Sequence, residues 1–132
     1  MKIAASIARV LLGLMFVVFG LNGFLHFIQQ PPPPPGLAGQ FLGALGGSHY
    51  MVPVFGLQLI SGALFLVNRY VPLALTLIAP VIVNILLYHV LMAPQGLAPG
   101  VVVAFLWLIV WFQFRLAFAP ILRAQPLESE LA

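Results

Sequence analysis

The stretch FGLQLISGALFLVNRYVPLALTLIAPVIVNILLYHV (residues 55–90) contains two long apolar runs joined by Asn68-Arg69-Tyr70. The hydrocarbon core of a bilayer is about 30 Å thick, and a helix needs about 20 apolar residues to cross it. The two runs therefore predict spanning helices over about 50–67 and 71–92. Because only three residues join them, these helices are expected to form a tight antiparallel hairpin.

The composition extends this prediction to the whole chain. Of its 132 residues, 63% are hydrophobic and only 5% are charged, whereas about a quarter of the residues in a soluble domain are charged. Two further apolar runs predict a first helix over about 3–28 and a fourth over about 100–118, with a tail at 119–132. The sequence thus predicts an all-α, integral membrane four-helix bundle, forming a single domain over 1–132.

The basic residues predict how the chain is threaded. All of them fall on one side of the predicted bundle, and the connections 29–49 and 93–99 contain none; they are Lys2, Arg9, Arg69, Arg115 and Arg123. Cytoplasmic loops carry the excess of Lys and Arg, so both termini are expected to be cytoplasmic, in a bacterial inner (cell) membrane. Dispersed cations form no patch for nucleic acid. The expected partners are membrane lipids, with other membrane-protein subunits or further copies of the chain.

The connection 29–49 is expected to lie outside the cell. Its five consecutive prolines, Pro31–Pro35, favour a polyproline II spacer, interpreted as a rigid connector rather than a ligand for a partner. Residues 36–47 then place apolar side chains on one face of a short helix, at Leu37, Phe41, Leu42 and Leu45. This helix is too short to span, so it is expected to lie along the membrane surface or over the mouth of the bundle.

Polar side chains inside the apolar helices provide the candidate site. Asn22 and His26 are four residues apart on the first helix and are predicted to share a face towards the bundle interior. Asn84 and Tyr88 are predicted to share a face of the third helix in the same way, with His89 about 100° away and facing a different groove. The three histidines are expected to gather at the outer end of the bundle.

These residues are open to two interpretations. Amides and imidazoles can hydrogen-bond between helices, where small residues such as glycine permit close approach. Alternatively, aromatic walls with one or two donors can form a pocket for a quinone or a lipid headgroup. The candidate binding residues are His26, Gln58, Asn84, Tyr88 and Trp107. A bis-histidine haem is not required by the spacing, and a histidine metal site would lack an orienting carboxylate, since the acids are only Glu128 and Glu130.

The sequence resembles the DoxX family of small bacterial membrane proteins. The resemblance rests on ARVLLGLMFVVFGLNGF in the first helix (residues 8–24), on the hairpin quoted above, and on a short fourth helix. It implies a four-helix membrane bundle and, from a family member that is a subunit of a thiosulfate:quinone oxidoreductase, a link to quinone. Family members often have a lysine near position 22 and a glutamate near position 58, where this chain has Asn22 and Gln58. A proton-coupled role is weakened accordingly, and a direct thiol role fails because the chain has no cysteine.

Three functions follow as hypotheses. The first is a non-catalytic accessory or structural subunit of a larger membrane complex, respiratory or photosynthetic, because the sequence leaves no soluble domain to carry out a reaction. The second is a quinone-linked redox subunit of the DoxX type. The third is a bundle that binds a lipid or another small molecule. On each hypothesis the chain is expected to have no catalytic activity on its own.

Overall fold

The computed structural model describes residues 1–132 and is all-helical, with no β-strand. Five α-helices follow in chain order: α1 (Lys2–Leu25), α2 (Gly36–Gly47), α3 (Met51–Val67), α4 (Val71–Leu91) and α5 (Leu97–Phe114). Three short 3₁₀ segments are Pro94–Gly96, Arg115–Leu122 and Glu128–Glu130. The predicted all-α class is therefore confirmed, and the short helix predicted over 36–47 is present as α2.

Four of the helices form a closed ring. α1 packs against α3 and α5, and α4 packs against the same two helices. Gly13 of α1 lies against Gly62 and Leu66, whereas Gly20 lies against Leu59 and Phe55, so α1 and α3 run antiparallel. The result is an up-down-up-down bundle with α2 outside the ring, across one end.

The predicted hairpin is confirmed at residues 68–70. α3 ends at Val67 because Asn68 adopts a left-handed conformation, with φ of 54°, which asparagine tolerates better than most residues. Tyr70 is also left-handed, and Pro72 follows in the first turn of α4, where its missing N–H leaves no hydrogen bond unmade. Three connecting residues are therefore enough to reverse the chain.

Two predicted helix boundaries differ from the structure. α1 ends at Leu25, three residues before the predicted limit, because His26 is left-handed and its N–H bonds to the carbonyl of Asn22. The final helix begins at Leu97 and its α-helical part ends at Phe114, beyond which the chain continues as a 3₁₀ helix. Apolar composition continues through both boundaries, so hydropathy alone did not locate them.

Glycines set the close contact between α1 and α3. A Cβ atom on Gly62 would lie 2.7 Å from the backbone nitrogen of Val17 and 2.9 Å from the carbonyl oxygen of Gly13. A Cβ on Gly20 would lie 3.0 Å from the backbone nitrogen of Leu59. Backbone approaches this close exclude larger side chains, as in the small-residue contacts of membrane helices. Gly56, on the same helix as Gly62, faces open space instead.

Helix length and hydropathy are compatible with several membrane crossings. Lys2–Leu25, Val71–Leu91 and Pro94–Leu122 are each long and apolar enough to cross a bilayer. α2 and α3 are long and apolar enough to cross only when they are taken as a pair. The angle between them at the break is 83°. The fold therefore offers three such segments, or four if α2 and α3 count as one.

Candidate functional site

A large cavity opens at the end of the bundle where α1 and α4 finish and α3 and α5 begin. Its volume is about 840 Å³, and residues from all five helices line it. The walls are mainly apolar and aromatic, including Phe16, Phe19, Phe55, Ile85 and Val103. This volume and character are those of a small-molecule site, because ligand pockets usually occupy about 300–1,000 Å³ and are lined by apolar side chains.

α2 covers part of this cavity. Leu42 and Leu45 of α2 both line the space, and Phe41 stacks on Tyr88 of α4 with ring centroids 5.8 Å apart and an angle of 23° between the rings. The start of α2 packs against the end of the proline run: a Cβ on Gly39 would lie 2.0 Å from the carbonyl oxygen of Pro34. Three of the four side chains predicted for the apolar face of α2 therefore face the bundle, whereas Leu37 is 71% exposed.

Asn22 contributes a buried amide on the α1 side. It is 7% exposed, and its Oδ1 accepts a hydrogen bond of 2.7 Å from the backbone N–H of Ile28. This bond holds the chain that leaves α1 after the left-handed His26. The oxygen of the amide is therefore engaged within the chain, which leaves the Nδ2 hydrogens directed elsewhere.

Gln58 contributes a second buried amide on the α3 side. Its side chain is 7% exposed, and its Oε1 is buried without a hydrogen-bond partner. Buried polar atoms are nearly always hydrogen-bonded, because an unmade bond costs about 1–3 kcal/mol. Gln58 lines the large cavity, but its Oε1 is enclosed, and the hydroxyl oxygen of Ser61 one turn further along α3 is buried without a partner in the same way.

His89 and Tyr88 complete the polar set on α4. The Nδ1 atom of His89 lies 2.8 Å from the carbonyl oxygen of Ile85, and the His89 ring meets the Tyr88 ring edge-on at 4.9 Å. The other side of the His89 ring faces Gly96, where a Cβ would lie 3.0 Å from Nε2. Both residues line the large cavity, so the prediction that His89 faces a different groove from Tyr88 is wrong.

A second, smaller cavity adjoins the first between α2, α3 and α4. Its volume is about 340 Å³, and it shares Gln58, Tyr88 and His89 with the large cavity. Asn84 lines it, but the Asn84 side chain is exposed and its Nδ2 donates to the carbonyl oxygen of Pro80 at 2.8 Å. Asn84 therefore uses one N–H donor for a hydrogen bond within α4, and it lines only the smaller cavity.

The structure brings together four of the five predicted site residues. His26, Gln58 and Tyr88 line the large cavity, whereas Asn84 joins the last two in the small one. Trp107 lies in neither. Its Nε1–H donates to the carbonyl oxygen of Leu75 at 3.0 Å, where α5 packs beside α4. The prediction that Trp107 belongs to the site is therefore wrong, and its side chain instead joins α5 to α4.

The predicted geometry of His26 also needs correction. His26 lies beyond the end of α1 in a left-handed conformation, so it does not share a helical face with Asn22. Its side chain is exposed at the rim of the large cavity, whereas Asn22 is buried. The helix ends just before His26, so the four-residue spacing between Asn22 and His26 no longer means a shared face.

His89 and Phe55 line the cavity but were not predicted as binding residues, and Asn22 was predicted to face the bundle interior without being included among the candidate binding residues. The polar character of His89 and Asn22 was visible, but only the packed helices show that their side chains converge. Phe55 fills the space beside Gly23, where a Cβ would lie 2.2 Å from the ring. The glycine in GLNGF was the available signal, because a glycine facing an aromatic ring permits it to approach the helix backbone.

The chemistry available in the site is recognition by shape and hydrogen bonds. Amide, imidazole and phenol groups line an apolar space, and no carboxylate is present there, since Glu128 and Glu130 lie in the C-terminal segment. No three side chains of the metal-ligating types lie close enough together to hold a metal ion. Such a set can orient a bound molecule by its polar group while the rest of the molecule contacts the walls.

Comparison with known proteins gives no match: no family, no curated protein and no solved structure matches this chain. The resemblance to the DoxX family therefore stays a prediction from the sequence.

Proposed function

We propose that the protein is a multi-pass membrane protein whose bundle binds an apolar small molecule in the large cavity. The observation that carries the binding role is the space of about 840 Å³ itself, which is lined mainly by apolar and aromatic side chains with a few polar ones, Asn22, Gln58 and Tyr88, among them. Protein interiors are otherwise close-packed, with few voids larger than a water molecule. A ring with a polar substituent, such as a quinone, has the right chemistry for this space, and so does the head of a lipid.

Two features support the membrane part of the proposal. Charged residues make up 5% of the chain, and large apolar side chains are exposed around the outside of the bundle, among them Leu14, Val83, Phe105, Leu108 and Phe112. A surface of this kind is stable against lipid and not against water. We propose four crossings, with α3 as a short one: its 17 residues rise roughly 25 Å, and α2 lies across its outer end.

The charges support an orientation with both termini in the cytoplasm. All five basic residues belong to the end of the bundle opposite the cavity, near the start of α1, the α3–α4 turn and the segment after α5. Arg9 donates to the carbonyl oxygen of Phe65 in the last turn of α3, where a cation is favourable for the helix dipole. The excess of cations marks the cytoplasmic side.

The orientation is tested by labelling, which is convenient because the chain has no cysteine. Gln40→Cys in α2 and Gln125→Cys in the C-terminal segment both place a thiol at an exposed position. A membrane-impermeant maleimide should label the first in intact cells and the second only after permeabilisation. Labelling of both, or of Gln125→Cys alone, in intact cells would contradict the proposed threading.

Binding is tested by filling the cavity. Gly46 and Gly43 both lie on α2 with open space where a Cβ would stand, but only Gly46 lines the large cavity. In lipid nanodiscs, Gly46→Phe should weaken binding of a decyl-substituted benzoquinone or its reduced diol, whereas Gly43→Phe should leave it unchanged. The proposal fails if neither compound binds the unaltered protein above empty nanodiscs.

A second candidate function is that of an accessory subunit, which the exposure of α5 favours. Only 11% of the most apolar part of Pro94–Leu122 is buried, against 33% for the corresponding parts of α1 and α4. We propose that this side contacts other subunits of an electron-transfer complex or another copy of the chain. Isolation from its native membrane in mild detergent should then yield an assembly, and recovery of a lone monomer would argue against it.

A further inference from the structure

The smaller cavity joins the large cavity to the outside of the bundle. The two spaces have a common boundary, because side chains from α2, α3 and α4 line both of them, among them Leu45, Gln58 and Ile85. On its far side the smaller cavity is bordered by Pro80 and Asn84, which are both exposed. The two spaces therefore form one continuous volume that reaches the side of the bundle between α3 and α4.

This side opening extends well below the end of the bundle. On α3 it is bordered by Val54 and Leu57, which lie roughly 5 and 9 Å along the helix from its first residue, Met51. On α4 it extends to Pro80, close to the middle of the helix Val71–Leu91. With the proposed threading, the opening faces the hydrocarbon of the outer leaflet.

The large cavity has a second approach at the end of the bundle, and the two approaches differ in polarity. The rim at the end carries exposed polar side chains, His26, Gln29 and Gln30. The smaller cavity is covered on that side by α2, where Phe41 lines it and stacks on Tyr88 of α4. The chain thus offers one approach from water and another from lipid.

Pro80 makes the wall of the side opening adaptable. Proline has no backbone N–H, so α4 lacks the hydrogen bond that residue 80 would otherwise donate to the carbonyl oxygen of Thr76. The Thr76 hydroxyl donates to the carbonyl oxygen of Pro72, and the Asn84 amide donates to that of Pro80, so neither side chain replaces the missing bond. The two halves of α4 are therefore joined less firmly beside the opening than elsewhere in the helix.

We infer that the ligand is a lipid-soluble molecule with an aliphatic tail, which enters the large cavity sideways from the outer leaflet, between α3 and α4, and keeps its tail in the smaller cavity when bound. A molecule that suits apolar walls is concentrated in the bilayer, because transfer of apolar surface out of water is favourable by about 25 cal/mol per Å². The side opening meets that population directly, whereas the polar rim is reached only through water. This inference rests on the proposed binding function and adds the ligand's route and its tail.

The test locates the tail of a bound molecule by photolabelling. The probe is a decyl-substituted benzoquinone with a diazirine in the middle of its tail, in nanodiscs containing the full chain. Peptide mass spectrometry after illumination gives the labelled residues, and an excess of unmodified decyl-substituted benzoquinone shows which labels depend on binding. Those labels should fall on the residues of α3 and α4 that line the smaller cavity, above all Val54, Leu57, Pro80 and Val81.

A matched pair of valines on α3 tests the passage itself. Val54 lines the smaller cavity, whereas Val52 is exposed and lines neither cavity. Val54→Trp should reduce the binding-dependent labels on α4 several-fold, because the larger side chain occupies the space of the tail. Val52→Trp should leave them unchanged. If circular dichroism shows that Val54→Trp does not fold, the positions of the labels on the unaltered chain still decide the matter.

The outcomes separate this inference from the binding function. Binding of the quinone without binding-dependent labels on α3 and α4 would overturn the side route and leave the binding function standing, whether labels fall on Gln29 and Gln30, fall on α1 and α5, or are absent. Undiminished labels on α4 in a folded Val54→Trp variant would also overturn it. Failure of the unmodified quinone to bind above empty nanodiscs would instead count against the proposed binding function itself.

Discussion

The two ends of the bundle are built from similar apolar residues but differ in packing. Towards the basic end the interior is solid: side chains from four helices are completely buried, including Leu12, Phe65, Leu75, Ile78 and Val110. Towards the histidine end the same four helices surround a cavity of about 840 Å³, and α2 covers it. We call these the basic half and the histidine half.

The difference shows how stability and binding are divided in a small bundle. The basic half has close glycine contacts, a continuous core and a cation on the last turn of α3, and it holds the helices together. The histidine half can then keep an open space and an unpaired amide without loss of the fold. The packed basic half thus fixes the positions of the helices around a cavity that would by itself destabilise the fold.

The largest difference in stability between the two halves is expected when one leucine in each is replaced by alanine. Leu75 is fully buried in the basic half, whereas Leu45 is half-buried and borders the cavity. Leu75→Ala should lower the free energy of unfolding by about 2–5 kcal/mol, because a packed leucine leaves a void. Leu45→Ala should lower it by less than about 1 kcal/mol, because its side chain already borders open space. Denaturant titration in detergent, followed by circular dichroism, measures both, and equal losses would remove the distinction between the halves.

The next largest loss of stability is expected at the glycine contact between α1 and α3. Gly62→Ala should cost about 1–3 kcal/mol, since the added methyl meets backbone atoms that cannot move aside independently. Gly56→Ala on the same helix is the matched control. It points into open space, and the gain in helix propensity should leave stability unchanged or up to about 1 kcal/mol higher. Thermal unfolding of the two variants measures the difference, and a stable Gly62→Ala variant would show that α1 and α3 are less closely held than described.

A smaller effect is expected at the tryptophan pair of α5. Trp107 and Trp111 stack with ring centroids 6.4 Å apart, but only Trp107 donates to Leu75 of α4. Trp107→Phe should therefore cost about 1 kcal/mol for the lost hydrogen bond, and more than Trp111→Phe. Unfolding followed by circular dichroism avoids the fluorescence change that both substitutions cause. Identical results for the two variants would mean that the bond to Leu75 contributes nothing.

The smallest effect should come from the ion pair in the C-terminal segment. Arg123 and Glu130 lie 2.5 Å apart, and both side chains are partly exposed. Arg123→Gln should change stability by no more than about 0.5 kcal/mol, because solvent screens exposed pairs. Added salt should reduce the difference in thermal midpoint between this variant and the unaltered chain, because salt weakens an exposed ion pair. A loss above about 1 kcal/mol would show that the basic half extends into this segment.

Sequence reasoning performed unevenly for identifiable reasons. It located the hairpin at 68–70, because Asn68 and Pro72 mark helix ends by their own backbone preferences. It also found the apolar face of α2, because a short helix with one apolar face has a periodic pattern. It extended α1 to residue 28, since the left-handed turn at His26 leaves no mark in hydropathy.

The site was predicted only in part. The candidate residues on α3 and α4 reached the cavities, but Trp107 was assigned to the site on depth alone, and its side chain faces Leu75 instead. α3, α4 and α5 are apolar on nearly every side, so their sequences do not state which face turns inward. Packing against the neighbouring helices decides which face turns inward. Asn22, Gln58 and His89 line one cavity only because the orientations of α1, α3 and α4 are all fixed in this way.

The amino-acid sequence by itself determined that the chain is helical, where its helices lie to within a few residues, and which end of each helix carries its cations. These properties depend on single residues and on neighbours a few positions away. The cavity, the enclosed oxygen of Gln58 and the side of the His89 ring that faces Tyr88 were decided by tertiary structure alone. They exist only where separate helices meet, since packing determines which polar atoms have already found partners and which are left for a ligand.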